Sequence, residues 1–459
     1  MGKKRDRSYI VKRILKISMM IFLFYCGVSI LNYLYVDGDA WYRIFWHHFY
    51  EDDGGIDCVI IGSSHVYCDI NPELLGDINN QYNFNLATPE QRLNSSYYLL
   101  KEAGKNNELT HVYLELYYKC LTKDNFNDDI DPIHDEVDYN RSWQNTDFMR
   151  CSANKLAYMF SIGSWEDYTD IFLPFSRYRL NLNDWNYVGQ VVNNKKGQFY
   201  RTYSYRWDFE DGNGYDEMLG QGYFLTTRKL VDDQRLFEQP RILDENPIGE
   251  TSEEYLRKII SYCQKRDIAI TLFVSPVDQL LLISAEKYDY YLKQVREIAE
   301  EYDLDFYDFN LTKEEYLPIW ENKYFRDAGH LNYEGASLFT PFFYDVVSGN
   351  YVDNEKYFYS SYEEKLESLE PAIYGLYYHN SVITEENPEQ IKTFYIASNR
   401  ETGMEYLIRV IPDEGEEFIV QDFHTNKMFA RPAEEHGICI IEARVEGDTE
   451  SVQTLRINY

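Results

Sequence analysis

Two short motifs in this sequence carry side chains able to do acyl chemistry. The first is Gly62-Ser63-Ser64-His65, which follows directly on the apolar run Ile56–Ile61. A serine on a glycine-led turn exposes its hydroxyl, and a helix starting there offers backbone N–H groups to a developing oxyanion. The second is Asp327-Ala328-Gly329-His330-Leu331-Asn332, ahead of the helical segment Tyr333–Val347. A carboxylate three residues before a histidine on a tight turn can orient the imidazole. The imidazole can then take the proton of a serine that the fold brings close. Each motif alone has an ordinary structural account, as a helix cap or a surface histidine. Taken together, they predict a serine of the Gly62-Ser63-Ser64 turn as nucleophile, His330 as base and Asp327 as its orienting acid.

For this to work, one fold must bring residues 64 and 330 to the same edge. The short apolar runs Ile56–Ile61, Tyr82–Leu86, His111–Leu116, Ala269–Val274 and Asp305–Phe309 read as strands. Leu93–Lys105, Tyr255–Lys265, Tyr288–Tyr302 and Tyr333–Val347 carry helical spacing between and after them. Strand and helix alternating in this way predicts an α/β domain with a doubly wound parallel sheet over 56–348. Ligands of such sheets bind beyond the carboxyl ends of the strands, where Ser64 falls. The stretch 121–248 breaks the rhythm, is too long for a plain loop and reads as an inserted cap over that edge. Residues 349–371 read as a connector. From 372 to 459, short alternating runs separated by turns predict an antiparallel β-sandwich.

The charge is strongly asymmetric. The chain holds 45 Lys+Arg against 77 Asp+Glu, a net −32, which argues against a nucleic-acid partner. Residues 1–16 are basic, and Ile17–Val36 then runs for 20 residues without a charge. Such a run spans about 30 Å as a helix, one hydrocarbon core. It predicts an uncleaved anchor with the N-terminus cytoplasmic and the bulk of the chain outside, followed by a stalk at 37–55. The seven cysteines show no metal or disulfide spacing. His47-His48 reads as interfacial, and Asp124–Asp138 lacks the sixth-position glycine of a calcium loop. Ser275, at the end of the fourth strand, faces the same edge as Ser64. Arg177 and Arg179 are candidates for an anionic group or for internal pairing.

Gly62-Ser63-Ser64 together with Asp327-x-x-His330 resembles the first and last blocks of the SGNH (GDSL-type) hydrolase family, over roughly 55–348 without most of the insertion. The resemblance implies a flavodoxin-like three-layer domain with Ser64, His330 and Asp327 as the triad. It also places the second-block oxyanion donor near Asn85-Leu86-Ala87-Thr88, at the N–H of Ala87 or Thr88. The third block departs from the family: Glu115-Leu116-Tyr117-Tyr118-Lys119 stands where Gly-x-Asn-Asp is usual. The layout is most similar to membrane-anchored envelope members, the DltD-like proteins and the partners of membrane O-acyltransferases. That similarity implies a serine esterase or acyltransferase acting on an acylated glycan or cell-wall polymer, beside a membrane O-acyltransferase and without metal or organic cofactor. The alternative is a catalytically silent scaffold that binds envelope polysaccharide.

Overall fold

The computed structural model describes residues 7–36, 40–122, 135–163, 168–197, 202–210, 212–231, 236–238, 245–283, 285, 287–349, 354–382, 390–450 and 452–459. The chain divides into two compact units, one of Met1–Glu51 with Glu136–Tyr205, the other of Asp52–Asp135 with Arg206–Tyr459.

The first unit is helical. Its helix α1 (Arg7–Tyr35) contains an apolar stretch, Val11–Tyr35, long enough to cross a membrane. Helix α2 (Ala40–Asp52) follows. The expected stalk at 37–55 is therefore incorrect over most of its length. Trp41, Tyr42, Ile44, Phe45, Trp46 and Phe49 are all buried, and that much apolar surface must pack against something. Helices at Asp135–Phe148, Ala153–Ile162 and Trp185–Lys196 share the unit. Trp46 Nε1, for instance, donates to Asn145 Oδ1 at 3.2 Å. The stretch 121–248 is thus not one insertion. Its segment 136–205 clusters with the N-terminal helices, and the rest of it clusters with the α/β unit.

The second unit begins with β1 (Cys58–Ile61), α3 (Ser64–Asp69), α4 (Pro72–Asn79), β2 (Asn83–Asn85), α5 (Leu93–Ala103) and β3 (His111–Glu115). Four short strands follow: β4 (Tyr205–Asp208), β5 (Tyr215–Met218), β6 (Phe224–Thr226) and β7 (Leu236–Glu238). The α/β pattern then resumes with α6 (Glu250–Gln264), β8 (Ala269–Val274), α7 (Tyr288–Glu301) and β9 (Phe306–Asp308). The β10 (Phe325–Asp327) and β11 (His330–Leu331) hairpin leads into α8 (Tyr333–Val347).

The main sheet runs β2-β1-β3-β8-β9 and every pairing in it is parallel. Its strands are short apolar runs because helices cover both faces. β1 is wholly buried, and α6 buries Tyr255, Leu256, Ile259, Ile260 and Cys263 at helical spacing. The chain leaves β1 for β2 on one side and continues with β3 on the other. The carboxyl end of β1 is therefore the switch point at which such sheets open a crevice.

Two four-stranded sheets make the C-terminal sandwich, using β12 (Ile373–Val382), β13 (Gln390–Ser398), β14 (Met404–Pro412), β15 (Phe418–His424), β16 (Met428–Pro432), β17 (Gly437–Val445) and β18 (Gln453–Asn458). Their orders are β16-β13-β12-β7 and β15-β14-β17-β18, around a shared core that includes Leu376, Phe394, Tyr406, Ile408 and Ile441. The sandwich is not wholly C-terminal, because β7 pairs in parallel with β12.

Candidate active site

Ser63 and Ser64 sit where β1 gives way to α3. Ser63 is the N-cap, with extended backbone and its hydroxyl facing the N–H of His65. Ser64 is the first residue of the helix. The turn is tight because the carboxyl end of β3 lies alongside, with Ile61 paired to Leu114. A Cβ on Gly62 would fall 2.5 Å from Cβ and Oε2 of Glu115, so only glycine fits there. The buried Glu115 carboxylate accepts both the Ser63 N–H (2.7 Å) and the Ser63 hydroxyl (2.8 Å). Ser63 Oγ also lies 3.0 Å from Nδ1 of His65, whose ring is buried against Tyr117. Burial pushes the His65 imidazole below its ordinary pKa, outweighing the opposite effect of Glu115.

Ser64 takes the other direction. Its Oγ lies 2.8 Å from Nε2 of His330, and Nδ1 of that ring lies 2.7 Å from Asp327 Oδ1. The same carboxylate oxygen accepts the backbone N–H groups of Gly329 (2.9 Å) and His330 (3.1 Å), which folds the β10–β11 turn around it. Burial works to raise the Asp327 carboxyl. The His330 imidazole, the Arg326 guanidinium and the Gly329 N–H outweigh it and hold the group well below the usual carboxylate range. Both gaps are within hydrogen-bond reach for proton transfer from Ser64 to an imidazole whose ring proton faces the acid.

The two motifs are joined by a strut. Asp69, at the last turn of α3, is fully buried, and its Oδ1 accepts the Leu331 N–H at 2.9 Å. This ties the helix carrying Ser64 to the strand carrying His330. The loop after β8 adds a second tie, with the Asp278 N–H donating to Ala328 O at 2.8 Å. Asn332 closes the motif as the N-cap of α8, accepting the Gly335 N–H at 3.1 Å.

The later part of the long stretch also packs here. Phe224 of β6 meets the ring of Tyr67 on α3 at 5.5 Å, and Arg326 lies over Phe224. Asp216 of β5 pairs with Arg326 at 3.4 Å, and Arg326 in turn lies 3.7 Å from Asp327.

The remaining expected residues divide. Asn85 is structural: its side-chain amide donates to Val66 O (2.8 Å) and Ile70 O (3.3 Å) at the far end of α3. Ala87 and Thr88 are buried just beyond β2, the strand next to β1, so they share the carboxyl edge with Ser64. The Thr88 hydroxyl bonds Gln91 Oε1 at 2.8 Å. Ser275 is buried just beyond the end of β8. Arg177 pairs with Asp147 inside the helical unit, which leaves the internal reading of that residue as the right one. The Arg179 side chain, and residues 123–134 of the acidic stretch, lie outside what the structure describes.

Four residues of this neighbourhood were not singled out from sequence: Glu115, His65, Asp69 and Arg326. Glu115 had a visible signal, a lone carboxylate ending an otherwise apolar buried strand. Such a group requires partners.

A family of unknown function matches residues 235–351, which hold β7, β8, β9 and the Asp327–His330 turn but not Ser64. No curated protein matches the chain.

Proposed function

We propose that this protein is a membrane-anchored serine acyl esterase or acyltransferase of the SGNH type. The observation that carries the reading is the unbroken path Ser64 Oγ to His330 Nε2 and His330 Nδ1 to Asp327 Oδ1. Support also comes from the sheet order, with the serine following β1 and the histidine turn following β9.

Ser64 Oγ attacks the carbonyl carbon of an ester while its proton passes to His330 Nε2. The negative charge that develops on the carbonyl oxygen meets the Ser64 N–H and an N–H at Ala87 or Thr88. The imidazolium, held by Asp327, then donates its proton to the departing alcohol oxygen, leaving an acyl-enzyme. A second hydroxyl, from water or from a sugar, gives its proton to His330 and takes the acyl group, and the imidazolium returns that proton to the departing Ser64 Oγ. The steps use only side chains and backbone N–H groups of this chain. With no asparagine in Glu115-Leu116-Tyr117-Tyr118-Lys119, where the third block is expected, the oxyanion donors are backbone groups alone, and the Glu115 carboxylate is held on Ser63 and His65.

The substrate class we propose is an acylated envelope glycan, with α1 retained as a single-pass anchor whose basic end is cytoplasmic. Retention is supported by the bonds that fasten the end of α1 to the helical unit. Tyr35 OH donates to Leu182 O and Tyr187 OH donates to Tyr35 O. Labelling by a fluorophosphonate probe tests the chemistry. Wild-type protein should label and Ser64→Ala should not; a wild type that stays unlabelled would leave the glycan-binding scaffold as the better account.

A further inference from the structure

The helical unit has a side that water does not suit. Leu156 and Phe160 lie one turn apart on the helix Ala153–Ile162, and both are exposed. Phe172, 62% exposed, has its ring 6.5 Å from that of Phe160. Trp185, 78% exposed, opens the helix Trp185–Lys196. Scattered apolar residues are ordinary on a surface, but this group sits beside the end of a membrane-crossing helix. Lys155 and Met159, next in sequence to Leu156 and Phe160, line a cavity of about 410 Å³ together with Ser29, Asn32, Tyr33 and Val36 of the α1 end. The helix Trp185–Lys196 lies across that end, with Lys195 Nζ donating to Tyr33 O and Val36 O, each at 2.6 Å.

A length argument gives the level of these contacts. The charge-free run is Ile17–Val36, and α1 is exposed from Val11 to Tyr25, with burial setting in over Leu31–Val36. Ile17–Ile30 supplies 14 residues, about 21 Å of helix, whereas the hydrocarbon core is about 30 Å thick. The remaining thickness falls on the turns against which the helical unit packs. Its outward side chains at that level therefore meet lipid. Charge agrees. Residues 136–205 hold eight Lys+Arg against seven Asp+Glu, in a chain of net −32, so this segment is spared the acidity that an anionic leaflet would repel.

We propose that the helices Ala153–Ile162 and Trp185–Lys196, together with Phe172, form a collar seated in the outer interface of the membrane, with Leu156, Phe160 and Phe172 among the acyl chains and Trp185 at headgroup level. Exposed aromatics beside in-plane helices are what that interface accommodates. The collar makes the anchor more than a tether, because it fixes the helical unit against the bilayer at two places instead of one. The inference rests on reading α1 as a retained anchor.

The test uses the full chain reconstituted into vesicles without other proteins, carrying one genetically encoded environment-sensitive fluorophore at a time. Positions 24, 160, 172 and 419 are all exposed, so the probes do not disturb packing. Lipids brominated on their acyl chains should quench the probes at 24, 160 and 172 and leave position 419, on the C-terminal sandwich, unquenched. Quenching at 24 with probes at 160 and 172 as aqueous as that at 419 would overturn the collar while leaving the anchor intact. No quenching at 24 would overturn the anchor and the collar with it.

Discussion

Glu115 holds Ser63 twice, through its backbone N–H at 2.7 Å and its hydroxyl at 2.8 Å, and this leaves the neighbouring Ser64 to face His330. Two adjacent serines on one turn are thus separated by a carboxylate from another strand. Ser64→Ala should abolish fluorophosphonate labelling with little change in melting temperature. Ser63→Ala should keep labelling within about tenfold of wild type. It should also destabilise the fold by about 1–3 kcal/mol, because a buried carboxylate loses a donor. Gel fluorescence and thermal denaturation of the two variants separate these effects. Loss of labelling in a folded Ser63→Ala protein, with Ser64→Ala still labelled, would reverse the assignment.

Asp327 sets the tautomer of His330. With asparagine there, the amide can present its N–H₂ to the ring and favour the wrong protonation pattern. Asp327→Asn should therefore slow labelling by about 10²–10⁴-fold while the protein stays folded. Because the carboxyl titrates well below its usual range, wild-type labelling should lose no activity through Asp327 down to about pH 4. A rate that tracks the unfolded fraction of the variant would instead mark Asp327 as a packing residue.

Sequence displayed the chemistry better than it displayed the packing. Ser64 and His330 were legible because each stands in a short motif beside an apolar strand, so local pattern alone places both at one sheet edge. Glu115 was visible as an odd carboxylate, but its partner Ser63 lies 52 residues away and only strand register brings them together. The helix α2 was hidden by its flanks. Asp37, Asp39 and the run Glu51-Asp52-Asp53-Gly54-Gly55 read as loop, and the interleaved aromatics between them gave no clean period. β7 could not be foreseen as part of the sandwich, since three residues of strand acquire a place only when β12 offers an edge. β14 and β17 follow the alternation expected over 372–459, with every second residue along most of each strand buried.

Lys365 is a separate test of the fold. It is buried, donates to Asn310 O at 2.6 Å and lies over the Trp320 ring at 3.6 Å. Burial lowers its pKa to about 7, against the opposing effects of Glu314 and Asp308. The folded state therefore binds fewer protons than the unfolded chain between about pH 7 and 10, and wild-type stability should rise with pH across that window. Lys365→Met removes the buried amine. It should be at least as stable as wild type at pH 7, with the difference moving in favour of wild type as the pH approaches 10. Denaturant titrations at pH 7, 8.5 and 10 measure this. A wild-type advantage that is the same at all three would show that the amine does not titrate there.

Asp69 joins the two halves of the candidate site, and its behaviour with pH should differ from that of Asp327. Burial raises its carboxyl well above the usual range. The Leu331 N–H pulls the other way, and Glu115 and Asp327 add to the rise. A raised acid binds its proton in the folded state where the unfolded chain has already lost it. The stability linked to Asp69 is therefore complete below about pH 4 and declines as the pH rises from there towards the folded-state value. Asparagine imitates the neutral acid in shape and can still accept the Leu331 N–H. Asp69→Asn should match wild type near pH 4 and gain on it steadily towards pH 7, with labelling by Ser64 retained. Asp69→Ala leaves the Leu331 N–H without its acceptor. It should cost about 1–3 kcal/mol and slow labelling, because β11 is no longer tied to α3 and His330 drifts from Ser64. Melting curves for both variants from pH 4 to 7, with labelling rates at pH 7, decide the matter. If Asp69→Asn lost stability relative to wild type as the pH rose, Asp69 would be ionised in the folded protein and the strut would be a charged one.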